Sequence, residues 1–281
     1  MWSLIEHGRS GDDPSFYLKE YAAPDGCAID DRKAWREANP ALCDPAPFLA
    51  EDAMASVMRT LREPTFRQLR LGQWVTGSET WLPFGLWREL ASPRVVGPRE
   101  KVVLAFDGSA SGDSTALIGS TIGERPYVWV EGLWEAPVPY EPGWRVPRAD
   151  VDQAVADAFT RYNVIELAAD PWGWRSELET WAKRHGERKV IEFNTAHGQR
   201  MAPATDRIYQ LVVSGEISHD GDERMASHFD HCVARPTPMG DLVAKDKRNS
   251  PRKIDAAVAA IIAVDRAAFH TTKSKRVASF A

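Results

Sequence analysis

An uninterrupted apolar run, Val102-Val103-Leu104-Ala105-Phe106, ends abruptly on Asp107. The small-residue turn Gly108-Ser109-Ala110-Ser111-Gly112 follows, and then a second acid, Asp113. A continuous apolar run bounded by a turn predicts a strand buried on both faces. A carboxylate at the end of such a strand is costly unless a metal ion, an arginine or a helix N-terminus compensates it. A lone strand-end aspartate is more often a turn or cap residue. Other parts of the chain must supply partners before it reads as functional.

The 281 residues have room for one large domain or one domain with appendages. Apolar content of 43% and charged content of 27% are those of an ordinary soluble globular protein. The net charge of −5 excludes a polycation, so nucleic acid would have to meet a local basic patch. Cys27, Cys43 and Cys232 match no zinc or CxxC spacing and read as reduced thiols. The N-terminus lacks the basic-then-apolar order of a signal peptide. The longest uncharged apolar run, Ala256 to Val264, is too short to span a membrane. Several tryptophans in polar or Pro-rich surroundings (Trp35, Trp81, Trp144, Trp172) suggest packing between segments.

Residues 1–62 differ in texture from the rest. Ser15 to Leu18 is a short strand candidate, Asp30 or Asp31 is positioned to cap a helix through Trp35, and Asn39-Pro40 breaks it. Ala50 to Arg62 carries Met54, Val57, Met58 and Leu61 at helical spacing. No complete core is expected in this region. Residues 63–98 read as a linker segment that packs onto something. From Lys101 the pattern alternates. The first strand and the runs Thr115–Ile122 and Tyr127–Leu133 predict an antiparallel meander. A helix from Ala149 to Tyr162 precedes the strand Val164 to Ala169, which ends on Asp170. The helix Trp174–His185 and the strand Lys189–Phe193 complete a βαβ unit. Further helices are predicted over Thr205–Ser214 and Asp222–Cys232, with an edge strand at Ile217–His219 and a short extended stretch at Asp241–Ala244. A last helix is predicted from Arg252 to about Phe269, with Pro251 in its first turn. Residues 271–281 read as a flexible tail.

Asp170 repeats the position of Asp107. In open α/β sheets, functional groups gather beyond the carboxyl ends of strands. Asp255 shares a helix face with Val258, Ala259 and Ile262, a packing face on which an acid should meet a partner. Its plainer reading is an acid favoured by the helix dipole. Together the three aspartates suggest an oxygen-only carboxylate cluster for Mg²⁺ or Mn²⁺. Two such ions suit phosphodiester hydrolysis. Asp113 is either a fourth ligand or a solvated turn residue. Lys245, Lys247, Arg248, Arg252 and Lys253 surround the single acid Asp246 just before Asp255. Such a run is usually a solvated surface, but here it leads into the proposed metal site, as a groove for a phosphate backbone would. Lys245 is a candidate to orient the scissile phosphate. His197 could face the crevice, although a loop histidine is more often structural. No covalent-nucleophile arrangement and no GxxxxGK[ST] or GxGxxG is present, so the chain carries no phosphate-binding loop.

The order strand–Asp, two antiparallel strands, helix, strand–Asp and late helix–Asp resembles the ribonuclease H-like superfamily. Within it, the stretches AFDGSASGDSTA, LAADPWGW and KDKRNSPRKIDAAVAAIIA resemble the nuclease domain of tailed-phage terminase large subunits. WREANPAL and FRQLRLGQWVTGSETWL resemble the segment joining the terminase ATPase to its nuclease. The resemblance implies an α/β fold with a mixed sheet, an antiparallel meander followed by parallel strands, flanked by helices and preceded by an irregular N-terminal extension. It implies a nuclease domain over 99–270 and a partial ATPase tail over 1–62, without Walker motifs and so without an ATP site in this chain. Asp107, Asp170 and Asp255 would be the metal ligands of an endonuclease that cuts concatemeric viral DNA in the host cytoplasm. Double-stranded DNA, a small terminase subunit and the portal ring would be its partners. A junction resolvase, a transposase-like enzyme and a non-catalytic docking module of the packaging motor remain alternatives.

Overall fold

The computed structural model describes every residue except 1, 12, 25, 44, 46, 62, 74–79, 84, 110–113, 138–142, 248, 249 and 279–281. The chain divides into two units, Met1–Gly77 and Ser78–Ala281.

The first unit is helical: α1 (Trp2–Ser10), α2 (Arg32–Ala38), α3 (Glu51–Thr60) and α4 (Glu63–Arg70). Asp31 starts α2 by accepting from the backbone N–H groups of Lys33 (2.8 Å) and Ala34 (3.3 Å), as an N-cap acid should. Asn39 ends it, and its side-chain amide donates to the carbonyls of Trp35 (2.9 Å) and Arg70 (2.8 Å). Trp35 and Phe66 are fully buried with ring centroids 5.8 Å apart, and they centre a small core with Met54 and Leu71. Residues 1–62 do not form this core alone: α4 supplies Phe66 and the turn after it supplies Leu71. The expected strand over Ser15–Leu18 is irregular chain; among the described residues no strand lies beside it to pair with.

The second unit begins with α5 (Leu86–Glu89) and is built on strands β1 (Lys101–Gly108), β2 (Thr115–Thr121), β3 (Tyr127–Trp134), β4 (Asn163–Ala169), β5 (Val190–Glu192) and β6 (Ser218–His219). They form one sheet in the order β5-β4-β1-β2-β3-β6. β1–β2–β3 is the expected antiparallel meander, and β4 and β5 add in parallel on the other side of β1. Helices α6 (Arg148–Arg161) and α7 (Arg175–His185) cover one face. Helices α8 (Gly198–Val213) and α9 (Glu223–Asp230), the hairpin β7 (Val233–Thr237)–β8 (Gly240–Ala244) and α10 (Asp255–Ala278) follow. With α10 central, this group covers the other face. Ala256 to Val264 of α10 are all buried, as expected for a helix surrounded by protein on every side.

Two helix starts differ from expectation. α8 begins at Gly198 and runs through Pro203, with Met201 and Ala202 buried in the core, so packing outweighs the missing proline hydrogen bond. α10 begins at Asp255, beyond Pro251, because the ring Nδ1 of His231 donates to the Lys253 carbonyl (3.0 Å) that a longer helix would use. Among the described residues, no helix is long and apolar enough to cross a membrane.

Candidate functional site

Strand register brings two of the acids together. Phe106 of β1 lies opposite Ala169 of β4, and the N–H of Asp170 donates to the Phe106 carbonyl (3.0 Å). Asp107 and Asp170 thus leave neighbouring parallel strands at the same end, and such strands run about 4.8 Å apart. Side chains alternate across the sheet. Leu104, Phe106, Leu167 and Ala169 face α6 and α7, whereas Ala105 and Ala168 belong to the core around α10. Two positions further on, Asp107 and Asp170 fall on that same α10 face. Glu166, two positions before Ala168, obeys the same alternation: its carboxylate accepts from Arg266 Nη2 (3.0 Å) and pairs with His270 Nε2 (3.0 Å), both on α10. Asp255 reaches this end of the sheet as the first residue of α10. The hydroxyl of Ser114, just before β2, donates to its Oδ2, and Ala116 of β2 lies opposite Asp107.

Each carboxylate is held by its surroundings. Asp170 is 7% exposed; its Oδ1 accepts from the Trp172 N–H (2.9 Å), and its Oδ2 accepts from the Thr195 N–H (3.1 Å) and the Thr195 hydroxyl. Asp255 is 9% exposed. Behind it the buried His228 accepts the Ala256 N–H on Nδ1 (2.9 Å). Nε2 therefore carries the proton, facing Glu135 Oε1 at 3.1 Å. The His228 ring beside Glu135 outweighs the effect of burial and holds that carboxyl below its ordinary value. Gly108, next to half-buried Asp107, leaves no space for a side chain: a Cβ there would stand 2.6 Å from both the Phe106 ring and Trp174 Nε1.

Beside Asp170 opens a cleft of about 480 Å³, lined also by Trp172, Arg175, Asn194 and Thr195. The basic segment joins β8 to α10. Lys245 and Lys253 are half-buried, Lys247 and Arg252 are exposed, and Arg252 lies 3.8 Å from Asp246. Asp113 and Arg248 lie outside the described residues. His197 caps the backbone of α8 and is exposed; within the same loop, it is Thr195 that reaches the carboxylate. Sequence reasoning missed Thr195, Ser114 and His228, since hydroxyls and a helix histidine carry no spacing that marks them.

The donor set consists of carboxylate oxygens, which fits hard divalent cations and excludes a thiolate zinc site. Among the described residues, no three His, Cys, Asp or Glu side chains already form a metal-holding group. Mg²⁺ sites need only one or two carboxylates, since water and substrate phosphate oxygens supply the remainder, so the two strand-end acids suffice as a frame.

Residues 145–271 match the family model of the terminase large subunit, endonuclease domain. The chain is 32% identical over 176 residues to the Gene 13 protein of Mycobacterium phage D29, covering 58% of this chain and 29% of that protein. It is 31% identical to the Gene 13 protein of Mycobacterium phage L5 with the same coverage. The chain thus spans 29% of the length of these curated relatives. The crystal structure of the HK97 bacteriophage large terminase superposes with a TM-score of 0.55 at 23% identity, over 94% of this chain and 60% of that one. The mixed sheet flanked by helices is the expected ribonuclease H-like fold.

Proposed function

We propose, from the match of residues 145–271 to the terminase large-subunit endonuclease model, that the chain is the metal-dependent DNA-cutting part of a phage packaging motor. The observation that carries this reading is the pairing of Asp107 and Asp170 at the ends of adjacent parallel strands, with Asp255 delivered to the same end by α10. Three acids from three elements gathered at one end of one sheet repel one another, and a divalent cation between them would relieve that repulsion.

In this reading Asp107, Asp170 and Asp255 hold Mg²⁺ or Mn²⁺. Such ions, when bound, activate water for attack on phosphorus and stabilise the leaving oxygen. The protein's own contribution is positional. Thr195 and the Trp172 amide fix both oxygens of Asp170, and Ser114 fixes one oxygen of Asp255. Lys245, Lys247, Arg252 and Lys253, in the segment leading to Asp255, take the phosphate backbone, with Lys245 nearest the reacting phosphate; Arg248 belongs to the same basic run by sequence. Contacts of that kind position DNA without reading its sequence. Concatemeric double-stranded DNA in the host cytoplasm is the substrate. Residues 1–62 are the tail of the packaging ATPase, and the small terminase subunit and portal are the partners.

The test is Mn²⁺-dependent nicking and linearisation of supercoiled plasmid. Asp107→Asn, Asp170→Asn and Asp255→Asn should each abolish it while leaving the thermal transition in place. Cleavage at the wild-type rate by the triple variant would overturn the assignment.

A further inference from the structure

Trp172 contradicts the general burial of tryptophan in this chain. Trp35, Trp81, Trp87, Trp174 and Trp181 are at most 2% exposed, whereas Trp172 is 73% exposed. It is not a loose residue on a slack loop. Its own N–H donates to Asp170 Oδ1 (2.9 Å). The Gly173 carbonyl accepts from Arg148 Nη2 (2.8 Å), and Gly173 has a φ of +74°, which glycine adopts without penalty. Trp174 closes the turn, with its N–H on the Pro171 carbonyl (3.2 Å) and its ring buried edge-on against Phe106 (4.9 Å). The Arg148 guanidinium lies over the outer face of Trp174 at 4.4 Å. The turn is pinned at three successive residues, and what it presents to solvent is one indole.

That indole stands on the lip of the cleft beside Asp170, together with Arg175. Arg175 has a 70% exposed side chain and touches Glu192 only at 3.9 Å. A flat aromatic surface and a guanidinium on one rim match a nucleic-acid strand, whose bases offer π-faces and whose backbone offers phosphates. We propose that Trp172 is a stacking platform for a nucleobase of the DNA strand entering the cleft, with Arg175 on the neighbouring phosphate. Its turn hangs from the carboxylate of Asp170, so a base docked on Trp172 is set at a fixed offset from the metal-binding end of the sheet. With its backbone already held, only the two side-chain torsions of the indole are left to fix on binding, which favours its use as an anchor. A duplex would offer such a base where it is kinked or frayed, as apolar wedges exploit elsewhere. The proposal rests on the nuclease reading above and adds a contact that the acids and the basic segment do not supply.

The experiment is equilibrium binding of the whole chain, in EDTA so that no cleavage occurs, to two labelled single-stranded oligonucleotides of equal length. One carries bases throughout and the other has an abasic tract. Trp172→Ala should weaken binding to the first by about tenfold, and Trp172→Phe should recover most of it. On the abasic strand the wild type and Trp172→Ala should bind alike, an outcome that a purely structural role would not give. Thermal unfolding should be unchanged in both variants, because the indole lies outside the core. Equal affinities of wild type and Trp172→Ala for the base-bearing strand would overturn the stacking role and leave the nuclease reading standing. A loss of affinity that persists on the abasic strand would overturn it as well. An unaltered DNA affinity with impaired assembly on other motor components would instead assign Trp172 to a protein contact. Wild-type protein that binds neither strand would overturn the stacking role, and plasmid cleavage with Mn²⁺ would still decide the nuclease reading on its own.

Discussion

Thr195 donates twice to one oxygen of Asp170, from its backbone N–H at 3.1 Å and from its hydroxyl. The Trp172 N–H occupies the other oxygen, so the carboxylate enters the site with its orientation decided. Partners of this kind around a metal-binding carboxylate typically govern affinity by about 10- to 100-fold. Thr195→Val keeps the volume and the backbone bond and removes the hydroxyl. It should weaken Mn²⁺ binding, read by calorimetry, by about tenfold, and lower stability by about 1–3 kcal/mol. Thr195→Ser should restore both. Wild-type metal affinity in Thr195→Val would show that the hydroxyl does not serve the ion.

Ser114 stands to Asp255 as Thr195 stands to Asp170. Ser114→Ala should cost about 1–2 kcal/mol in urea unfolding, since a buried charged acceptor loses a donor. Cleavage should fall more than stability alone would account for. His228→Leu tests the other support of the same helix end by stranding the Ala256 N–H, and should be the more destabilising of the two.

Acid should weaken the protein in two separate stages. The buried His219 stacks on Trp87 (4.4 Å), lies 2.7 Å from its carbonyl through Nε2 and accepts the Gly221 N–H on Nδ1 (3.0 Å). Burial pushes its pKa down. Below about pH 6.5 the unfolded chain takes a proton that the folded imidazole refuses, so stability falls as the pH drops through that window. Burial pushes Glu166 up, but the Arg266 and His270 hydrogen bonds outweigh it and hold the carboxyl below its ordinary value. Its contribution is present above about pH 4.3 and is lost as the pH falls further. Melting temperatures against pH should show both limbs. His219→Gln should flatten the upper one and Glu166→Gln the lower one; a profile unchanged in either variant contradicts that assignment.

Burial, followed by the nearby carboxylates of Asp255 and Asp230, pushes the Cys232 thiol far above its usual range. Cys27 and Cys43 are half-exposed. Iodoacetamide should label Cys27 and Cys43 in the native protein and reach Cys232 only on unfolding. Mass spectrometry of native and denatured samples distinguishes the cases, and native labelling of Cys232 would contradict its burial.

The strands and their acids were legible because burial on both faces writes an unbroken apolar run, and Asp107 and Asp170 interrupt two such runs at the same point. Asp255 was legible because it falls among the small apolar residues of a packing face. The donors that orient them were not. Ser114 and Thr195 look like turn residues anywhere, and their role depends on contacts made 141 and 25 positions away. His197 attracted notice as the titratable member of its loop, yet the loop turns it to solvent and turns Thr195 inward. The small core of the first unit is shared between segments: Trp35 and Met54 lie within 1–62 and Phe66 and Leu71 beyond it, so neither stretch announces a core alone. The proline in α8 masked about two helical turns, since local propensity argues for a break that tertiary packing overrides.

The last of the three acids rides on the helix that also fills one face of the sheet. A ribosome adds roughly 5–20 residues each second, so Asp255 emerges many seconds after Asp107 and Asp170. Until α10 inserts, that face of the sheet lacks its central helix and Asp255 is not yet beside the two strand-end acids. Under the proposed function, cleavage competence and structural completion would arrive in one event, and an interrupted translation product would lack both.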